Sequence, residues 1–172
     1  MATKKSMLVF LGILVASVVL GSAIKVDAET MNYKFYTWVN KGETVPVGDA
    51  EGHIVFFNQR GAFYVFENGE IATINHVATA DMIKGSGSFW QYVTINFADG
   101  STIIIKSQGT VGGTAAGAAS GGWTSEIIKG TGRFEGIKGT QRATAKYLPL
   151  EKGEAGQKGY GEGTITYTLP SK

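Results

Sequence analysis

The chain has 172 residues, 25 of them glycine, with 43% apolar and 17% charged residues, no cysteine and a formal charge of +2. That is the composition of one packed globular domain, and it argues against disorder and against a basic surface that tracks nucleic acid. Without cysteine there is no disulfide, thiolate metal site, thiol nucleophile or lipid-anchored Cys, so ordinary packing must hold the fold.

Met1 to Ala28 reads as an export signal. Lys4 and Lys5 precede an apolar run from Met7 to Leu20, broken only by Ser17, which is short for a bilayer span. Two small-x-small cleavage sites follow, Gly21-Ser22-Ala23 and Val26-Asp27-Ala28, and the second leaves a polar Glu29 as the new N-terminus. Removing the segment takes three of the 16 basic and one of the 14 acidic side chains, so equal numbers remain. The mature chain, from residue 29 to 172, is therefore expected to be one neutral exported domain, periplasmic or secreted. It has no net field to gather nucleic acid and no stable membrane insertion once the signal is cut.

Beyond the signal, apolar residues recur with period two, and the runs are separated by Gly, Asn-Gly and Asp-Gly. Tyr33 to Asn40 is a first strand and His53 to Asn58 a short second one, which merges with the third in a variant reading. Ala62 to Glu67 and Glu70 to Ala78 form a hairpin around Asn68-Gly69, the pair favoured by a two-residue type I′ turn. Phe89 to Phe97 and Ser101 to Ser107 form another around Asp99-Gly100, with Phe97 facing Thr102, Ile95 facing Ile104 and Val93 facing Lys106. Gly109 to Gly122 holds six glycines and almost nothing large, which predicts a mobile loop. Strands follow at Trp123 to Lys129, Thr140 to Leu148 and Tyr160 to Leu169. The pattern predicts an all-β fold, an eight-stranded antiparallel up-and-down barrel with an open sandwich as its rival.

The segment Gly130-Thr131-Gly132-Arg133-Phe134-Glu135-Gly136-Ile137-Lys138-Gly139 resembles the turn of the allene oxide cyclase-like barrel family, related in architecture to dirigent proteins. Phe97-Ala98-Asp99-Gly100, Gln108-Gly109-Thr110 and Gly159 to Leu169 are similar to neighbouring parts of that barrel. The resemblance spans about Phe89 to Pro170. It implies a homotrimeric barrel whose cavity takes an apolar small molecule and steers its cyclisation or isomerisation with no metal or organic cofactor. The plant cyclases carry a first-strand carboxylate and a cavity Cys. Here the strand reads Tyr36-Thr37-Trp38-Val39-Asn40 and no Cys exists, so no catalytic residue is carried over.

Other chemistry is poorly served. The glycines of 130–139 miss the dinucleotide spacing, because Glu135 stands where a third glycine is needed, and a strand follows instead of a helix. No Gly-x-Ser-x-Gly elbow occurs. The two imidazoles, His53 and His76, lack the partners of a metal site. Glu67, Glu70, Glu126 and Glu135 are the available carboxylates for glycoside cleavage, but Glu67 and Glu70 flank a turn.

Two sets of same-parity residues mix large aromatics with amides: Tyr36, Trp38 and Asn40 on one strand, Trp90, Tyr92 and Asn96 on another. Such a set suits the wall of a ligand cavity, and equally a filled barrel core or an oligomer interface. Glu126 and His76 are the weak candidates for an acid or base. Each matters only if it faces the interior; otherwise Glu126 is a solvated strand residue and His76 a hydrogen-bonded wall residue. Three functions stay open: a cofactor-independent cyclase or isomerase, a lipophile carrier, and an interaction module with a filled barrel.

Overall fold

The computed structural model describes residues 27–113 and 118–171, so all of the export segment except Asp27 and Ala28 lies outside the described residues. Eight strands, β1 (Glu29–Pro46), β2 (His53–Phe66), β3 (Ile71–Ile83), β4 (Ser86–Phe97), β5 (Thr102–Gly113), β6 (Ala119–Thr131), β7 (Lys138–Tyr147) and β8 (Gly159–Thr168), follow one another around a closed barrel. Each pairs antiparallel with its chain neighbours, and β1 closes on β8 from Glu29↔Tyr167 to Thr37↔Gly159. Closure leaves no sheet edge, and alternate residues of every strand enter one core. The two runs on either side of Gln59-Arg60-Gly61 are a single strand, β2.

The hairpins turn differently from the Asn-Gly and Asp-Gly expectation. The Phe66 N–H donates to Glu70 O and the Gly69 N–H to Phe66 O, and the same pair of bonds recurs at Phe97, Ser101 and Gly100. Each loop therefore has three residues. Only the glycine takes the left-handed region, with φ of 85° at Gly69 and 83° at Gly100. This is a type I turn closed by a glycine bulge, and the side chains of Asn68 and Asp99 brace it by accepting the N–H two residues on. The extra residue moves the register by one. Ile95 faces Ile103 and Val93 faces Ile105, so the isoleucines of β5 join Val93, Ile95 and Phe97 on the inner face.

The expected loop from Gly109 to Gly122 is corrected at both ends, and residues 114–117 between them lie outside the described residues. β5 continues to Gly113 and β6 begins at Ala119. A Cβ on Gly109 would come within 2.3 Å of Gly122 O and 2.9 Å of the Phe89 ring, so small residues here let two strands close beside large ones.

The interior has two unlike ends. At one, Phe134 of the 3-10 turn Gly132–Phe134 plugs the barrel against Phe97, 4.8 Å between centroids, and Tyr167, above a layer of Ile95, Ile103, Ile127 and Ile165. In the middle, Gln141 Nε2 donates to Tyr33 Oη, and Ser125 Oγ lies 2.7 Å from Gln141 Oε1 and 2.8 Å from Ser107 Oγ. That belt is satisfied within itself. Towards the other mouth the lining becomes more polar, and the segment 148–158 folds across it.

Candidate functional site

The polar mouth is built by the ends of strands whose inner positions are set by the pleat. Asn58, Arg60, Ala62, Tyr64 and Phe66 alternate inwards along β2, with the outward Phe57, Phe63 and Val65 between them. Arg60 stands opposite His76 of β3. Its Nε donates to Thr37 Oγ1 at 3.3 Å, its Nη2 to Gln157 O of the covering segment at 2.9 Å, and its guanidinium lies 5.5 Å from the centre of the Tyr147 ring. The segment is held in place by Leu148 N–H to Lys158 O, by Gly156 against Val39 and by the ion pair of Lys158 with Glu154.

Three buried side-chain atoms at this end make no hydrogen bond to any described residue: Asn58 Oδ1, His76 Nε2 and Trp123 Nε1. Native interiors leave few such groups, because an unmade buried hydrogen bond costs roughly 1–3 kcal/mol. The Trp123 indole sits in an aromatic sleeve with Phe35 at 5.8 Å and Phe89 at 6.0 Å. Burial, reinforced by the nearby Arg60 charge, pushes the His76 imidazole down to about 3, so it is neutral at every physiological pH. Desolvation also lowers the Arg60 guanidinium, and burial raises the Tyr147 phenol. The site thus joins an apolar sleeve to a cation, a neutral imidazole and an amide oxygen.

The aromatic–amide sets predicted to line the cavity are on the outer wall. Tyr36 is 43% exposed, Trp90 49% and Tyr92 39%. Trp38 lies over Phe63 at 5.4 Å and donates to Asn40 Oδ1 at 2.7 Å, where Asn40 forms a bulge in β1. Asn96 donates to Thr73 O on the neighbouring strand. The inward residues are instead Tyr33, Phe35 and Thr37 of β1 and Phe89, Gln91 and Val93 of β4. The physical reason is the three-residue turn: with Ile103 and Ile105 held inside, their partners Ile95 and Val93 must be inside too, which sends Trp90, Tyr92 and Asn96 out.

Of the two weak catalytic candidates, Glu126 is exposed on β6 opposite Lys106 and Thr140, and His76 faces the interior. Trp90 is among the residues lining a cavity of about 1500 Å³, together with Gln108, Thr124 and Arg142 and with the inward Phe66, Phe89 and Trp123. Arg60 was missed because Gln59-Arg60-Gly61 reads as a break between two strands. The signal that finds it is the continuous alternation from Asn58 to Phe66 once the break is removed.

Fold and lining together define a closed eight-stranded up-and-down barrel, apolar and sealed at one end and polar at the other. No protein-family model matches the chain, and no curated protein matches it. Among solved structures it is similar to the pterocarpan synthase dirigent protein GePTS1, at 15% identity and a TM-score of 0.50, over 84% of this chain and 92% of that one. It is likewise similar to the pterocarpan synthase dirigent protein PsPTS1, at 14% identity and a TM-score of 0.49, over 85% of this chain and 97% of that one. At that identity the likeness is one of fold.

Proposed function

We propose that this is an exported barrel that takes a small, largely apolar molecule into the half under segment 148–158 and holds it in one conformation. The observation that carries the reading is the trio of unpartnered buried atoms, Asn58 Oδ1, His76 Nε2 and Trp123 Nε1, beside the aromatic sleeve of Phe35, Phe89 and Trp123. Ligand pockets pair apolar walls with a few polar groups that fix orientation. Any cyclisation or isomerisation here works by shape, exclusion of water and stabilisation of developing charge, as the resemblance to allene oxide cyclase-like barrels implies. A carrier uses the same site without the chemistry.

The test is tryptophan fluorescence of the mature protein with Trp38→Phe and Trp90→Phe, which leaves Trp123 as the only indole. Quenching or a blue shift with members of a lipophile panel is expected. A flat response across the panel, together with native mass spectra of host-purified protein free of any small molecule, overturns the reading. Its N-terminal sequence tests export, with Glu29 expected first.

A second reading rests on the outer wall. Tyr36, Trp38, Phe63 and the neighbouring Tyr160 form an exposed aromatic patch on β8, β1 and β2. We place there a contact between copies of the chain, in the homotrimer that the resemblance implies.

A further inference from the structure

The eight strands carry thirteen charged residues. Glu29, Lys34, Lys41, Glu43, Asp81, Lys106, Glu126, Lys129, Lys138, Arg142, Lys146 and Glu162 are all exposed; Arg60 is not. No described carboxylate pairs with it, and its partners are neutral: the Thr37 hydroxyl, the Gln157 carbonyl and the Tyr147 ring. A desolvated charge without a counter-charge costs several kcal/mol, and arginine cannot escape by losing its proton as His76 does. Two of its five N–H donors are used, and Nη1 bonds to no described residue. The directly opposite residue, His76, is neutral and has a free Nε2.

Resting on the reading above, we propose that Arg60 is the receptor for an organic anion: the ligand is a small apolar molecule bearing one carboxylate, held at the guanidinium with the His76 imidazole as second donor and its body in the Phe35, Phe89 and Trp123 sleeve. Several features favour a carboxylate over a neutral head group. The guanidinium fork matches two carboxylate oxygens, and the ion pair cancels the one strand charge that is not exposed among the described residues. His76 serves in the tautomer that carries its proton on Nε2, which requires no charge on the ring.

The test uses 2-naphthoate and its uncharged isostere 2-naphthamide, titrated at pH 7.5 against the Trp123-only protein and read by fluorescence and calorimetry. The acid is expected to bind at least tenfold more tightly than the amide. In Arg60→Met, which keeps the apolar stem, the acid should lose at least tenfold while the amide changes less than threefold. Equal affinity for acid and amide in the parent protein overturns the anion receptor and leaves the apolar site standing. Binding of neither probe overturns both. The acid–amide comparison needs no substitution, so it decides the matter even if Arg60→Met does not fold; Arg60→Lys, which keeps the charge but not the fork, should then retain the preference in weakened form.

Discussion

His76 makes the stability of the barrel depend on acid in a way that can be calculated. Its folded imidazole is held near 3, first by burial and then by Arg60, against an ordinary value of 6.5 in the unfolded chain. Below pH 6.5 the unfolded state binds a proton that the folded state refuses. Stability therefore rises with pH, at about 1.4 kcal/mol per unit across the window from 6.5 down to 3. Between pH 7 and 5 the loss is about 2 kcal/mol, a large share of the ~5–15 kcal/mol that a domain of this size possesses. The cleanest part of the window is its acid half, towards pH 5. There His53, the other imidazole, is mostly protonated in both states, since its folded value is raised, and most carboxylates titrate lower. Urea denaturation of the mature protein at half-unit steps, for the parent and His76→Gln, measures the slope. The parent should lose stability steadily on acidification and the variant should be nearly flat. Parallel slopes would show that His76 is solvated or charged in the fold, and the neutral-imidazole reading of the site would go with them.

Other perturbations have different expected signs and sizes. His53 bonds Asp81 at 2.8 Å through Nε2 and Asp49 through Nδ1, which raises its folded value; its contribution is present below pH 6.5 and is lost as pH rises through that raised value. Melting curves should show His53→Asn erasing a difference between pH 6 and pH 8 that the parent displays. Phe134→Ala removes the plug over Phe97 and Tyr167 and should cost roughly 3–5 kcal/mol by urea titration; a loss under 1 kcal/mol would mean that the sealed end repacks freely. Two alanine substitutions separate space from backbone. At Gly163 the new Cβ would lie 2.3 Å from Tyr33 Oη, on a ring pinned by Gln141 and stacked on Tyr64, and should cost about 1–3 kcal/mol. At Gly69 nothing is near, and only the φ of 85° is strained, so about 1–2 kcal/mol is expected.

Most of the barrel was legible because antiparallel strands with a buried face declare themselves by alternation. Phe89 to Phe97 and Ser101 to Ser107 are strands in the sequence and in the fold. What the alternation does not contain is the count of residues in a turn. Asp99-Gly100 serves a two-residue and a three-residue loop equally well at the level of residue type, and the choice depends on which face of β5 the core demands. Ile103 and Ile105 make that demand from a neighbouring strand, so the error of one residue carried Trp90, Tyr92 and Asn96 to the wrong side. β1 was harder still, since Tyr33 and Phe35 compete with Tyr36 and Trp38 as apolar faces. Tyr33 and Phe35 take the inside, where they pack on Tyr64 of β2 and the Tyr33 hydroxyl meets Gln141 of β7, 108 residues away. Gly109 to Gly113 looked like loop because glycine usually punctuates, whereas they continue β5, and at Gly109 a side chain would collide with Trp123 and Phe89.

Arg60 illustrates why a site can be hidden by the same rule that reveals the fold. The strand pattern of this chain is obeyed at twelve of thirteen charged positions, and a reader of the pattern meets the thirteenth as a reason to end the strand. Sequences that specify one structure agree across levels, and the places where they do not are where something other than stability was being selected. A guanidinium facing the interior of this barrel without a counter-charge contributes little to folding, since Met or Leu would fill the same space without the desolvation cost. The satisfied belt of Tyr33, Gln141, Ser125 and Ser107 shows that this barrel closes its polar networks where they serve only structure. Asn58 Oδ1 and His76 Nε2 are left without a partner among the described residues, and this contrast with the belt is what the proposed ligand rests on.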